Sequence, residues 1–256
     1  MESAARAEVW SETFKMHSYE VDVKQLATIE SLCQHFQEAA WNHAEALGVG
    51  YEHLRQQHKF WVLSRLLIKI ERRPRWSESV ALQTWPRLAK SVFAMRDFEM
   101  TDNAGVRLAA GASAWLVLDT TMRKPQRVDK LISGISITES RPALERDPAK
   151  LEGCDSAMPS GEFTVRYSDI DVNGHVNNSR YIMWLLDSYP LSFVLQNEVA
   201  LVEVNFLGET VAGEKLSVMS KETQPNDYSH SVVQAKESKE VCRARILWRQ
   251  SSTSST

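Results

Sequence analysis

The same order of elements occurs twice along this chain, once before residue 120 and once after residue 160. The first copy begins with a helical pattern that Gly48 and Gly50 end. The second copy begins with the shorter helical run NNSRYIMWLLDSY, which stops at Pro190 because proline cannot continue a helix. We therefore expect two similar halves. The apolar residues of the first pattern recur at spacings of three, four or seven: Leu26, Ile29, Cys33, Phe36, Ala40 and Leu47.

Strand-like runs follow each predicted helix, about four in each copy. The turn DNAG predicts a hairpin between the last two runs of the first copy. The last run of that copy alternates in polarity, so its apolar residues should share one sheet face: Val106, Leu108, Ala110, Ala112, Ala114, Leu116 and Leu118. The runs cover residues 60–70, 79–85, 92–102 and 106–119, and then 200–208, 215–222, 228–236 and 241–249.

A closer correspondence between the halves supports a duplication. The segment RRPRWSESVAL (72–82) aligns with GETVAGEKLSV (208–218), which places Trp76 on Ala212 and Glu78 on Glu214. A long helix wrapped by a curved antiparallel sheet, present twice, is the tandem hotdog arrangement. The sequence therefore predicts an α+β fold of this kind, in which pairing of the two copies covers sheet edges and apolar faces.

The regular patterns dissolve between residues 120 and 161, where proline, glycine and mixed charge collect. We predict a linker or a long surface crossover over 120–161, an N-terminal repeat over 1–140 and a C-terminal repeat over 158–256. The tail SSTSST is expected to be disordered.

Composition narrows the classes of function. The 30 basic and 33 acidic residues give a net charge of -3, which argues against broad binding of nucleic-acid phosphates. The cysteines are odd in number and far apart, without zinc spacing, so we expect free thiols, a reducing compartment and no metal: Cys33, Cys154 and Cys242. Neither a signal peptide, a transit peptide nor an apolar run long enough to span a bilayer is visible, so we expect a soluble, cytoplasmic protein.

One stretch, RYSDIDVNGHVNNSRYIMW (166–184), places an acid, an amide and an imidazole one residue apart: Asp171, Asn173 and His175. The letters DVNG are typical of a tight turn, and Asn177 or Asn178 is a natural N-cap for the apolar helix that follows. The three side chains therefore belong to a loop that enters a helix N-terminus.

Such a loop suits attack on a carbonyl. The alternation along the chain predicts that the three side chains point roughly the same way. The amides of Val176 and Asn177, at the helix start, are expected to face developing negative charge and form an oxyanion hole. The alternative is that these residues are polar loop groups that cap a helix.

The stretch YSDIDVNGHVNNSRYIMWLLD resembles the signature of the acyl-acyl-carrier-protein thioesterases, which end fatty acid synthesis in plant plastids and in bacteria. The segments RLLIKIERRPRWSESVALQTWPR, FEMTDNAGVRLAAGASAWLVLD and RKPQRV resemble the N-terminal half of that family, so the likeness spans residues 14–249. It implies hydrolysis of fatty acyl-carrier-protein thioesters to free fatty acid and carrier protein, with no cofactor. The lack of a transit peptide suggests a bacterial type of enzyme.

The resemblance implies roles for single residues. Asp171, Asn173 and His175 match the family's catalytic aspartate, asparagine and histidine. A further acid on the strand after the helix corresponds to Glu209, with Glu203 as a rival. Plant members carry a cysteine after this acid, whereas this chain carries Thr210, which favours an acid-based or water-based mechanism over a papain-like one. Which residue acts as base or nucleophile stays open.

The first half lacks this motif, and its Arg73 takes the place of Glu209 in the alignment. We therefore expect one active site per chain, with the first half lining part of a tunnel for the acyl chain. Most tryptophans are expected in the core, and a few in that tunnel: Trp61, Trp76, Trp85, Trp115, Trp184 and Trp248.

Two basic clusters are candidates for docking the acidic carrier protein that the resemblance implies, although a solvated surface would also explain them. They comprise Arg72, Arg73 and Arg75, and then Arg123, Lys124 and Arg127. A hotdog acyl-CoA thioesterase and a non-catalytic acyl-binding protein are the alternative functions. A homodimer is left open.

Overall fold

The computed structural model describes residues 8–132, 135, 141–154 and 157–251. The chain forms two compact units, Met1–Pro148 and Ala149–Thr256, so the division falls inside the predicted linker. The tail from residue 252 onward lies outside the described residues, and so does the prediction that it is disordered.

The first unit contains an antiparallel sheet of strand order β1-β3-β4-β5-β2. A short 3-10 turn, Ser18–Glu20, lies between the first strand and the first helix. The elements are β1 (Trp10–Lys15), α1 (Ile29–Ala46), α2 (Tyr51–Gln56), β2 (Lys59–Ile70), β3 (Ser79–Lys90), β4 (Phe93–Asp102), β5 (Arg107–Asp119) and the short α3 (Asp129–Ile132).

The second unit repeats this layout with the sheet order β7-β10-β9-β8-β6. Its 3-10 turn is Tyr167–Asp169. The elements are β6 (Met158–Thr164), α4 (Asn178–Asp187), α5 (Leu191–Gln196), β7 (Asn197–Phe206), β8 (Lys215–Gln224), β9 (Asp227–Gln234) and β10 (Lys239–Gln250). The repeated order of helix and strands is thus confirmed.

Within the described residues, the sheet of each unit has five strands rather than the four predicted, because β1 and β6 precede the helices. The burial of β1 alternates strictly between half-buried and exposed residues, as its sequence WSETFK alternates. This short edge strand carries few strongly apolar residues, which is why the sequence pattern understated it.

Helix α1 packs one apolar face on its sheet, as predicted. Thr28 caps its start, since the Thr28 hydroxyl accepts a hydrogen bond from the Ser31 amide at 3.0 Å. Phe36 stacks on Phe98 with ring centroids 4.7 Å apart. A Cβ at Gly111 would lie 2.7 Å from a ring carbon of Phe36, so glycine is needed where this ring meets the sheet.

The alternating run on β5 is buried on both faces from Leu108 to Ala114. One face meets α1, and the segment that begins at Arg141 covers the other. The indole of Trp85 donates to the Arg141 carbonyl at 2.8 Å, and Ala143 packs on Trp85 and Ala110. Part of the predicted linker is therefore an ordered cover on the first unit. Val106 does not belong to the buried run, because it lies in the turn before β5 and is exposed.

The start of the second unit is held against its own sheet. Glu203 accepts a hydrogen bond from the Ala149 amide at 2.6 Å, and Asn205 accepts one from the Leu151 amide at 2.8 Å. Arg243 donates to the Leu151 carbonyl at 2.9 Å. Residues 149–151 are thus anchored by buried polar side chains of β7 and by β10.

The tryptophans divide between core and surface. Trp85, Trp184 and Trp248 are buried, which confirms their predicted core role, whereas Trp76 is half exposed. Among the helices of the described ranges, none is both long and apolar enough to cross a bilayer.

Candidate active site

The loop before α4 is a closed turn built around Asp171. The Asp171 amide donates to the His175 carbonyl at 2.8 Å, and the Gly174 amide donates to the Asp171 carbonyl at 3.0 Å. Its carboxylate oxygen Oδ1 accepts from the Asn173 amide at 2.8 Å and from the His175 amide at 3.4 Å. Gly174 has φ of +79°, which glycine adopts readily.

This turn replaces the extended geometry that the alternation suggested. Because residues 171–175 curl around one carboxylate, a common direction for the three side chains does not follow from strand alternation. Asn173 lies at the exposed tip, while the Asp171 carboxylate bonds to the backbone of the turn itself. Asn177 is the N-cap, and its side chain accepts a hydrogen bond from the Ser179 amide at 2.9 Å.

His175 meets Glu209 across 33 intervening positions of sequence. The distance between His175 Nε2 and Glu209 Oε2 is 3.3 Å, and the side chains are 26% and 40% exposed. The segment after β7 reaches the loop because the Val176 amide donates to the Thr210 carbonyl at 3.1 Å. A partly exposed imidazole and carboxylate in contact can exchange a proton with a bound substrate.

The two amides predicted for the oxyanion hole are already used. The Val176 amide bonds to Thr210, and the Asn177 amide donates to the Asp169 carbonyl at 2.9 Å. Since each backbone amide carries a single hydrogen, the oxyanion prediction is wrong for Val176 and Asn177 in this structure. These bonds close the loop onto its neighbours.

The first unit contains a loop with the same hydrogen bonds. The Asp22 amide donates to the Leu26 carbonyl at 2.9 Å, and the Gln25 amide donates to the Asp22 carbonyl at 2.8 Å. Asp22 Oδ1 accepts from the amides of Lys24 and Leu26 at 2.8 and 3.3 Å. The sequence interpretation missed Asp22 as the counterpart of Asp171, although both are followed by valine.

The hydrogen bonds from backbone amides that close the second loop also recur in the first loop. The Ala27 amide donates to the Pro74 carbonyl at 2.8 Å, and the Thr28 amide donates to the Glu20 carbonyl at 2.9 Å. Occupied amides at these two positions are therefore a property of the repeat rather than of the reaction.

The predicted alignment of 72–82 with 208–218 is confirmed by equivalent hydrogen bonds. Glu78 accepts from the Arg75 amide at 2.8 Å, and Glu214 accepts from the Val211 amide at 3.2 Å. The identical glutamates thus have the same structural task, which is to fix the turn before the strand.

The chemistry differs between the equivalent loops. Leu26 takes the place of His175, and Arg73 takes the place of Glu209. Arg73 Nη1 donates to Asp22 Oδ2 at 2.6 Å and to the Ala27 carbonyl at 3.2 Å. An ion pair with the loop aspartate therefore stands in the first unit where the second has a histidine and a glutamate in contact.

The geometry favours Glu209 over Glu203 as the second acid. Glu203 is 1% exposed, and its carboxylate holds the Ala149 amide. It therefore has an anchoring task in the fold, whereas Glu209 contacts His175.

No cysteine belongs to the loop or to the segment of Glu209. Cys33 and Cys242 are buried, and burial raises the pKa of Cys33 to about 12 and raises the pKa of Cys242 as well. Cys154 donates to the Ser229 carbonyl at 3.3 Å. Thr210, after Glu209, is buried and bonds to the Tyr181 hydroxyl. Within the described ranges, no group of three residues suited to hold a metal ion occurs.

The predicted docking residues divide into paired and exposed side chains. Arg73 is only 9% exposed and pairs with Asp22, so the docking prediction is wrong for Arg73. Arg72 donates to both carboxylate oxygens of Glu78, at 2.8 and 2.7 Å, so its charge is compensated. Arg75 remains exposed.

In the second cluster, Arg127 forms an exposed ion pair with Asp129 at 2.7 Å. The Arg123 guanidinium lies over the Phe60 ring at 5.4 Å, and Lys124 is exposed. Docking through Arg75, Arg123, Lys124 and Arg127 stays a prediction.

Comparison with known proteins shows which proteins this chain is similar to. The family profile of the acyl-ACP thioesterase N-terminal domain matches residues 7–135, and that of the C-terminal domain matches residues 155–250. A chloroplastic acyl-[acyl-carrier-protein] hydrolase of Cuphea viscosissima is 27% identical over 259 residues, covering 94% of this chain and 63% of that protein. The chain thus spans less than two thirds of the length of this curated relative.

Solved structures show the fold. The crystal structure of an acyl-ACP thioesterase from Bacteroides thetaiotaomicron matches with a TM-score of 0.86 at 28% identity, covering 94% of this chain and 98% of that one. The 12:0-ACP thioesterase from Umbellularia californica matches with a TM-score of 0.85 at 25% identity, covering 96% and 98%. The predicted tandem hotdog fold is thereby confirmed. With both halves matched by its domain profiles, the chain belongs to the acyl-acyl-carrier-protein thioesterase family.

Proposed function

We propose that this protein hydrolyses fatty acyl thioesters of acyl carrier protein to free fatty acid and carrier protein, and so ends fatty acid synthesis. The observation that carries the proposal is the 3.3 Å contact of His175 Nε2 with Glu209 Oε2 beside a turn that presents Asn173. The first unit, which has the same turn, lacks both members of this pair. The names of the relatives in Cuphea and Bacteroides support the same reaction.

The pair of His175 and Glu209 handles the proton in this proposal. A water molecule attacks the thioester carbon, and the water proton passes to the pair. The tetrahedral intermediate then collapses, the bond from carbon to sulfur breaks, and the pair returns a proton to the leaving thiolate. The products are a carboxylic acid and the thiol of the carrier, so atoms and protons balance without a cofactor. Either member of the pair can take the first proton.

Asn173 stabilises the oxyanion in this mechanism. With the Val176 and Asn177 amides already bonded, the carboxamide of Asn173 is the side-chain donor that the turn presents to solvent. Asp171 positions both neighbours, because its carboxylate bonds to the amides of Asn173 and His175. Its role is to hold the turn in a competent shape.

We assign one active site per chain, to the second repeat. In the first repeat, Leu26 and Arg73 supply neither an imidazole nor a carboxylate at the matching place. The substrate is thus a fatty acyl group on a carrier, and the carrier protein is the partner.

The test compares thioester donors with the purified protein. Release of free fatty acid and of thiol is measured with acyl-carrier-protein and with acyl-CoA of the same chain length, with and without a chelator. We expect turnover on the carrier-protein substrate that survives the chelator and is lost in His175→Ala. Faster turnover on acyl-CoA would instead identify an acyl-CoA thioesterase. Acyl binding without product release would identify a non-catalytic protein.

A further inference from the structure

Two buried hydroxyl groups meet directly behind the proposed active site. The hydroxyl of Tyr181 on α4 bonds to the hydroxyl of Thr210, the residue after Glu209. Tyr181 is 2% exposed and Thr210 is 1% exposed. Burial raises the pKa of the Tyr181 phenol, so this pair is neutral at physiological pH. Two polar groups in the core that satisfy each other are costly to separate.

The fold itself does not require this hydrogen bond. At the equivalent positions, the first repeat has Leu32 on α1 and Pro74 after Arg73, both buried and neither with a hydroxyl. The backbone bond at this place is the same in both repeats, from Ala27 to Pro74 and from Val176 to Thr210. Only the repeat with the His175–Glu209 contact adds a side-chain bond.

Thr210 connects three parts of the proposed site. Its hydroxyl bonds to α4 through Tyr181, its carbonyl holds the loop through Val176, and its peptide neighbour is Glu209. In the first repeat, the proline ring restricts the backbone at this position, and Arg73 is further fixed by its ion pair. Threonine lacks that ring, so a bond from its side chain can supply the missing restraint.

We propose that the Tyr181–Thr210 hydrogen bond is a positioning device that holds Glu209 in contact with His175. This inference rests on the proposed function, because it assigns a task within the same site. The Glu209 side chain is 40% exposed, and its backbone is joined directly to Thr210, so a restraint on Thr210 also limits where the Glu209 carboxylate can lie. Displacements near 1 Å at a catalytic group can lower rates by about 10²-fold.

The experiment removes the bond from either side. Tyr181→Phe and Thr210→Val each delete one hydroxyl, whereas Thr210→Ser keeps it. We expect Tyr181→Phe and Thr210→Val to lower kcat about 10-fold with little change in KM, and the double variant to be no worse than the worse single one. Thr210→Ser should stay within about threefold of the wild type.

A matched control is Tyr189→Phe, which removes the hydroxyl of a half-buried tyrosine of the same repeat that bonds to His230 Nε2 at 2.7 Å. Tyr189→Phe should lower the free energy of unfolding about as much as Tyr181→Phe does, and it should leave the pH–rate profile unchanged. Tyr181→Phe should instead shift that profile, because it would loosen the contact between His175 and Glu209 on which acid–base catalysis by the pair depends.

Nuclear magnetic resonance of the His175 ring at one fixed pH provides a readout that needs no substrate. We expect the chemical shifts of the ring to change in Tyr181→Phe and Thr210→Val and to stay constant in Tyr189→Phe. Should the wild type hydrolyse no thioester, the proposed function fails, yet these chemical shifts still decide the positioning. Unchanged His175 chemical shifts, or equal loss of kcat in Tyr181→Phe and Tyr189→Phe, would overturn the inference.

Discussion

Asp22 and Asp171 make the same two side-chain hydrogen bonds in the two repeats. Each Oδ1 accepts from the backbone amides two and four residues later, at 2.8 and 3.3 Å for Asp22 and at 2.8 and 3.4 Å for Asp171. One loop carries the proposed chemistry and the other does not. The carboxylate is therefore required by the turn, and any role in hydrolysis builds on that structural task.

This relationship predicts a matched pair of variants. Asp22→Ala and Asp171→Ala should each lower the free energy of unfolding by about 1 kcal/mol or somewhat more, because each leaves two loop amides without an acceptor. Asp22→Ala should cost more than Asp171→Ala, because it also removes the ion-pair partner of the buried Arg73. Only Asp171→Ala should lower turnover, by roughly 10²-fold. Chemical denaturation and steady-state kinetics on both variants check this. A comparable loss of turnover in Asp22→Ala would mean that loop stability alone controls activity.

Variants of the two candidate acids should differ in the property that they change, which is turnover for Glu209 and stability for Glu203. Glu209→Ala should lower turnover by roughly 10²-fold while the unfolding free energy stays within about 0.5 kcal/mol. Glu203→Ala should cost about 1–3 kcal/mol of stability, because the Ala149 amide loses its buried acceptor. Its turnover per folded molecule should change little. The reverse pattern would assign the reaction to Glu203.

The amide and the imidazole should be as important as the acid. Asn173→Ala and His175→Ala should each lower turnover by roughly 10²-fold or more, the scale of one oxyanion or acid–base contribution. Both residues lie on a surface turn, so circular dichroism and melting curves should match the wild type. Retention of turnover in Asn173→Ala would show that another group stabilises the oxyanion.

Buried His230 should make stability depend on pH. Its imidazole bonds to the hydroxyls of Tyr189 and Ser220, and burial lowers the pKa of His230 to about 4 from 6.5. The unfolded chain therefore binds the extra proton first as pH falls. The unfolding free energy that depends on neutral His230 is therefore fully present above pH 6.5. It falls by about 3 kcal/mol in total as pH falls toward 4.

Unfolding free energies between pH 4 and 7.5 measure this slope. Asn or Gln at this position cannot titrate, so His230→Gln should reduce the slope in that window, whatever its stability at pH 7.5. The carboxylates titrate in both proteins, so their effects cancel when the slope of His230→Gln is subtracted from that of the wild type. An identical slope in the two proteins would show that His230 is not the group responsible.

The exposed cations should affect the carrier and not the chemistry. Charge reversal at Arg75, or at Arg123 with Lys124 and Arg127, should raise KM for acyl-carrier-protein and leave short pantetheine thioesters nearly unchanged. The effect should shrink above about 0.15 M salt, where screening acts within roughly 8 Å. Arg73→Met is the control for the paired member, and it should lower stability instead. Equal losses on both substrates would exclude docking through these residues.

Local patterns along the chain were enough to predict the secondary structure and turns of this protein. Periodicity located α1 and most strands, the DVNG letters marked the turn, and the alignment of Glu78 with Glu214 led correctly to the equivalence of Arg73 and Glu209. These features follow from spacing and from turn preferences, which are encoded within a few residues.

The hydrogen-bond partner of each polar group, in contrast, depends on how distant segments come together in the fold. The amides of Val176 and Asn177 are consumed by carbonyls from other segments, and Arg73 is withdrawn from the surface by Asp22. The bond between Tyr181 and Thr210 likewise joins a helix to a segment 29 residues later. A donor's partner depends on which distant segments the fold brings beside it and on how much water they exclude, and no local pattern contains that information.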